Sequence, residues 1–228
     1  MQYLTGVYWC RGCRARDNQD SVVLLQALTA RGRVLLAAVC DGMGGLAQGE
    51  IASGYVTERL QEWFYESVLY AVRKKKPYWV IRRSLDRLTF HMQQQLQQYA
   101  RQEEIDLGTT MTVLVIWERT YLIWHLGDSR LYRLRGRHME RVTRDHIRRR
   151  EQLTKWVGRF GLRQGEGILL CSDGFRHCVT GEELQEVLSP QQMQEEAQID
   201  RRLLEIGEAC MKRGEQDNLS AIYIKITK

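Results

Sequence analysis

Five aspartates in this chain each stand where a short apolar run begins or ends, and this recurrence limits what the chain can fold into. Asp20 precedes the run at 21–25. Asp41 closes Val-Leu-Leu-Ala-Ala-Val-Cys-Asp (34–41) and opens Asp41-Gly42-Met43-Gly44-Gly45. Asp128 lies between two runs in Gly127-Asp128-Ser129-Arg130. Asp173 follows the run at 168–172 and opens Asp173-Gly174. Asp217 precedes Asn218 and the final run, 221–226. A carboxylate at a strand end is held firmly yet reaches solvent, and a neighbouring glycine lets the backbone come close to a ligand and offer its carbonyl. One Asp-Gly on its own reads as a turn. Five carboxylates brought to one sheet edge would repel one another unless a cation offset the repulsion. Oxygen ligands of this kind suit hard cations such as Mg²⁺ and Mn²⁺.

The apolar runs at 21–25, 34–41, 110–117, 121–126, 129–134, 168–172 and 221–226 predict strands. The run 34–41 is apolar almost throughout, as in a strand buried on both faces. Glu118-Arg119-Thr120 predicts a hairpin turn. Strands following one another through short connections predict antiparallel sheets. Helical spacing begins at Glu50, with Ile51, Val56, Leu60, Trp63 and Phe64 near one face. It resumes after Pro77, with Ile81, Leu85, Leu88, Met92, Leu96 and Tyr99 three or four apart. A third helix is expected over about 191–212, with Leu203, Leu204 and Ala209 inward, Ser189-Pro190 at its start and Gly214 at its end. The class is α+β, with strands gathered into sheets and helices packed outside. No Pro/Gly/Ser-rich linker divides the chain, so 1–228 reads as a single domain.

Other classes are disfavoured. No apolar run approaches the roughly 18 residues that span a bilayer, and the first residues lack a basic start followed by an apolar stretch. A cytoplasmic protein without membrane contact is expected. The net charge is +6, with basic runs at 74–76 and 148–150 that read as solvated surface; no RNA-binding signature or zinc-finger spacing accompanies them, and no nucleic-acid partner is expected. Cys10 and Cys13 form one Cys-x-x-Cys pair without a second, and His125, His138 and His146 show no paired spacing, so a structural zinc site is not expected there. Cys40 and Cys171 end apolar runs and read as core.

Seven segments together resemble the protein phosphatase 2C family of metal-dependent Ser/Thr phosphatases in its bacterial form. They are RDNQDS (16–21), VCDGMGGLAQGEIAS (39–53), GTTMTVLVI (108–116), HLGDSRLYRLR (125–135), VTRDHI (142–147), LLCSDGF (169–175) and EQDNLSAIYI (215–224), in the family's order and across nearly the whole chain. The resemblance implies an antiparallel β-sandwich flanked by helices on both outer faces. It implies two divalent cations, Mn²⁺ or Mg²⁺: Asp41 bridges them, the Gly42 carbonyl binds one, and Asp173 and Asp217 hold the other. Asp20 orients metal-bound water, and Asp128, with Asp173, lies where some members bind a weaker third cation. The implied reaction is attack of a metal-bridging hydroxide on phosphoserine or phosphothreonine in a protein substrate, with a cognate Ser/Thr protein kinase as the opposing partner.

Four positions depart from the family pattern. Ala15 occupies the usual place of the phosphate-binding arginine, leaving Arg14 and Arg16 as candidates. Gln19 replaces a glutamate. Met43 stands where eukaryotic members carry a candidate general-acid histidine, as is usual in bacterial members. The stretch between Asp145 and Ile168 is short, which predicts a reduced flap and a more open groove with 148–150 near its rim. Ala15 and Gln19 keep open a second reading, a pseudophosphatase that binds a phosphoprotein or kinase without turnover. The intact aspartates favour the enzyme.

Overall fold

The computed structural model describes residues 1–13, 17–43, 48–118, 120–146 and 162–227, together with the backbone of 154–158. Two five-stranded sheets form its centre. One has the order β1 (Tyr3–Cys10), β10 (Leu219–Ile226), β9 (Gly167–Cys171), β6 (Arg130–Arg135) and β7 (His138–Arg141). The other has the order β2 (Asp20–Thr29), β3 (Gly32–Asp41), β4 (Met111–Trp117), β5 (Thr120–Leu126) and β8 (Thr154–Gly158). Every named pairing is antiparallel, as expected from the short connections.

Strand alternation builds three apolar layers. Along β3, Val34, Leu36, Ala38 and Cys40 face the helices α1 (Gly49–Trp63), α2 (Leu69–Arg73) and α3 (Tyr78–Gln102). Leu35, Ala37 and Val39 face the opposite sheet and meet Ile168, Leu170, Ile222 and Ile224. This two-sided burial explains why 34–41 is nearly all apolar. On β10 the parity repeats: Leu219, Ala221 and Tyr223 face α4 (Gly174–His177) and α6 (Glu196–Lys212), while Ile222, Ile224 and Ile226 face inward. The result is the expected sandwich with helices on both outer faces.

The structure adds elements that the patterns did not predict. β1 is an edge strand whose Val7 and Trp9 are exposed, so no continuous apolar run marks it. β7 is a four-residue edge strand of sequence His-Met-Glu-Arg, too short and polar to stand out. Within the short stretch after Asp145, 154–158 supplies β8 at the edge of the second sheet. Neither α4 nor α5 (Gly181–Val187) was expected, although α5 carries a capping box between Thr180 and Glu183 that its sequence shows.

The third helix starts later than expected. α6 begins at Glu196, because Met193 drops into the core on extended backbone and ends the 3₁₀ turn Pro190–Gln192. Its end at Gly214, with φ +92°, is as expected. Two predicted core positions point outward: Ile51 and Leu204 are exposed, whereas Leu203 is buried, and Ala209 is half-buried. Leu203 with Ile199 and Ile206 already fills the face of α6 that meets the sheet. Cys40 and Cys171 are fully buried, as expected.

Candidate metal centre

β2 starts and β3 ends at the same end of their sheet, and the antiparallel register sets Asp20 directly opposite Asp41. The backbone around Asp41 is pinned from both sides. Its N–H donates to Thr110 Oγ1 at 2.9 Å, and its carbonyl accepts from Thr110 N at 2.8 Å and Thr109 Oγ1 at 2.9 Å. Gly42 N donates to the Gln19 carbonyl at 3.1 Å, tying the two aspartate-bearing segments together. A Cβ at Gly42 would lie 2.5 Å from Gly49 O and 2.6 Å from Gln19 O, so only glycine fits.

The other sheet brings its own carboxylates to this end. Asp173 follows β9 and precedes α4, and Asp217 lies two residues before β10. Asp128 stands in the turn between β5 and β6, where its carbonyl accepts from Arg176 Nη2 at 3.2 Å. The five aspartates form a gradient of exposure: Asp20 is buried, Asp41, Asp128 and Asp173 are half-buried, and Asp217 is exposed.

Their electrostatics show that they share one locale. Burial pushes the Asp41 carboxyl well above the ordinary range, and the charges of Asp20, Asp173, Asp217 and Asp128 push it further. Asp20 is raised to about 6, chiefly by burial, with Asp217 and Asp173 adding to the shift and the nearby Ser220 and Ser172 hydroxyls opposing it. Asp173 is raised by burial, then by Asp128 and Asp217, with Asp41 and Arg176 pulling the other way. Asp20 Oδ2 is buried and has no hydrogen-bond partner among the described residues. An orphaned carboxylate oxygen amid mutually repelling acids is a donor set that fits hard divalent cations.

All five predicted aspartates and Gly42 therefore meet at one end of the sandwich. Arg14 and Arg16 lie outside the described residues, as do Arg148–Arg150 of the predicted groove rim. Gln19 points its amide at Glu50 Oε2, 3.5 Å away, rather than adding a charge. Two supporting residues were not singled out from sequence. Asn218, buried, accepts from Gln19 N at 2.8 Å and donates to the carbonyls of Arg11 at 2.8 Å and Asp17 at 3.3 Å, stapling the segment before Asp20 to the start of β10. Trp9 Nε1 donates to the Asp20 carbonyl at 2.9 Å. The Asp217-Asn218 dipeptide was a visible signal for the first; nothing in the pattern marks the second.

Two packed antiparallel sheets, helices outside and carboxylates from both sheets converging at one end define a metal-dependent phosphatase. The chain belongs to the protein phosphatase 2C family, whose model matches residues 14–221. It is similar to the protein phosphatase PhpP of Streptococcus pneumoniae, with 24% identity over 78% of this chain and 81% of that one. It is also 27% identical to the serine/threonine protein phosphatase PstP of Mycobacterium tuberculosis, covering 95% of this chain and 43% of that longer protein. Among solved structures, the catalytic domain of PstP in complex with two manganese ions superposes with a TM-score of 0.74 at 26% identity, covering 99% of both chains. The serine/threonine phosphatase Stp1 of Staphylococcus aureus, at 21% identity, shares the fold with a TM-score of 0.82 over 100% of this chain and 96% of that one.

Proposed function

We propose that this chain removes phosphate from phosphoserine and phosphothreonine in proteins, with Asp41, the Gly42 carbonyl, Asp173 and Asp217 holding two divalent cations, Mn²⁺ or Mg²⁺. Asp128 with Asp173 forms a weaker third position. Bound there, the cations would supply Lewis acidity that favours deprotonated water near neutral pH and offsets phosphate charge. The chain's own residues prepare the place. Asp41 is fixed by its backbone bonds to Thr109 and Thr110, so its carboxylate presents one geometry. Asp20, with Oδ2 free of any described partner, orients water and accepts a proton there. The phosphate-binding role falls to Arg14 or Arg16.

The single observation that carries this reading is the convergence of carboxylates from both sheets, with Asp20, Asp173, Asp217 and Asp128 all adding to the raised proton affinity of Asp41. The relatives named above, a protein phosphatase and a serine/threonine protein phosphatase, support the substrate class. The proposal extends to a cytoplasmic role opposite a Ser/Thr protein kinase. No described helix is long and apolar enough to cross a membrane. The whole chain acts as one catalytic domain. Hydrolysis of p-nitrophenyl phosphate and of a phosphothreonine peptide tests the proposal. Turnover should require Mn²⁺ or Mg²⁺, stop with EDTA, and vanish in Asp41→Asn and Asp173→Asn. A folded protein without turnover across several metals would instead be a phosphoprotein-binding pseudophosphatase.

A further inference from the structure

We infer that His177, Cys178 and Glu215 form a separate cation site for a borderline-soft transition metal such as Zn²⁺, at the junction of α4 and the C-terminal end of α6. His177 Nδ1 lies 3.3 Å from Glu215 Oε2, and Cys178 Sγ lies 3.3 Å from the same oxygen. The three ligand atoms all fall within 4.8 Å of one another. Zinc bonds of about 2.0–2.3 Å to nitrogen, oxygen and sulfur set tetrahedral ligand–ligand distances of roughly 3.3–3.6 Å. Two of the three edges already have that length. The third closes by turning His177, whose side chain is 76% exposed and free to move.

Glu215 is the fixed member. Its side chain is only 7% exposed, and Oε1 accepts from Gln216 N at 2.9 Å and Asp217 N at 3.2 Å. This leaves Oε2 directed at the imidazole and the thiol. The cationic partner of Glu215 among the described residues is His177, which carries charge only when protonated. Nearby Arg213 does not compete for the site. It is engaged by Glu183 through two contacts, and its Nη1 donates to the Cys178 carbonyl at 2.9 Å. The ligand set differs in kind from the aspartate centre: a thiolate with an imidazole selects Zn²⁺ over Mg²⁺ or Mn²⁺. Water completes the fourth position, as in sites with three protein ligands. Because Glu215 also holds the Asp217 N–H, an ion on Oε2 steadies the loop that carries Asp217.

The test uses the metal-stripped, reduced full chain with its aspartate centre first saturated with Mg²⁺. Titration with Co²⁺ should give a near-ultraviolet thiolate-to-cobalt charge-transfer band that saturates at one equivalent and is displaced by Zn²⁺. Cys178→Ser, which preserves size, should abolish the band, and His177→Ala should weaken Co²⁺ binding at least tenfold, both with unchanged circular dichroism. Absence of a band in the natural protein, or a band that persists in Cys178→Ser, overturns the inference. The readout is a sulfur–metal transition, so it stands or falls independently of phosphatase activity.

Discussion

Asp20 and Asp41 face each other across the β2–β3 pair, two acids at directly opposed positions of an antiparallel ladder. Like charges placed this way destabilise a sheet. Burial and the other aspartates raise both carboxyls above their ordinary range. Such groups bind protons more tightly folded than unfolded. Without cations, their contribution to stability is full below the unfolded carboxyl range and is lost as pH rises through the folded value, about 6 for Asp20. The penalty from Asp20 alone is on the order of 3 kcal/mol. The metal-free protein should therefore melt at a lower temperature at neutral pH than near pH 5, and Mn²⁺ should reverse that loss at neutral pH. Thermal unfolding with EDTA or Mn²⁺ across this range checks it. A flat profile in EDTA would show that the acids do not repel.

The same repulsion gives Asp41→Asn opposite effects on stability and catalysis. The substitution removes the buried Asp41 charge and its repulsion with Asp20, Asp173, Asp217 and Asp128, so the EDTA-treated variant should be more stable than the natural protein at neutral pH. Activity should fall about 100-fold or more, because a proposed cation ligand is lost and each 1.36 kcal/mol of barrier is tenfold in rate. Paired melting curves and p-nitrophenyl phosphate assays measure both arms. A variant that is both less stable without metal and still active would contradict the assigned role.

How much was legible from sequence depended on whether a signal was local. The aspartates were visible because each abuts an apolar run, and the two-sided burial of β3 was visible because its sequence is continuously apolar. The edge strands β1 and β7 were not, since an edge strand half open to water carries polar residues and glycine without a clear period. The late start of α6 turned on Met193 entering the core, a tertiary preference that overrides the Ser-Pro signal. The convergence of Asp41 with Asp173 and Asp217 could be inferred only through family resemblance, because no spacing within one strand relates residues on different sheets.

Asn218 makes three hydrogen bonds to the backbone of Arg11, Asp17 and Gln19 in the segment 11–19. Asn218→Ala should cost roughly 1–3 kcal/mol, since a buried donor or acceptor is left unpaired. It should also raise KM more than it lowers kcat, with unchanged circular dichroism, because the segment 11–19 includes the candidate phosphate ligands Arg14 and Arg16. Asn218→Asp should be worse than Asn218→Ala: it keeps the acceptor for Gln19 N but turns a carboxylate oxygen toward the carbonyls of Arg11 and Asp17. Equal behaviour of the two variants in melting and steady-state assays would remove the staple from the mechanism.

Glu166 provides a control far from metal chemistry. Its side chain is 6% exposed and pairs with Arg133 at 2.7 Å and Arg135 at 2.8 Å on β6, and Arg133 is itself only 14% exposed. Removing one partner of a buried pair leaves an uncompensated charge, so Glu166→Ala should destabilise the fold by about 3–5 kcal/mol. Arg133→Ala combined with Glu166→Ala should cost less than the two single changes added, because the second substitution removes the orphaned charge. Cation dependence and turnover of the folded fraction should stay at the natural level in all three variants. Additive losses in chemical denaturation would mean that the ion pair is a surface feature, whereas a change in metal dependence would tie β6 to the carboxylate cluster.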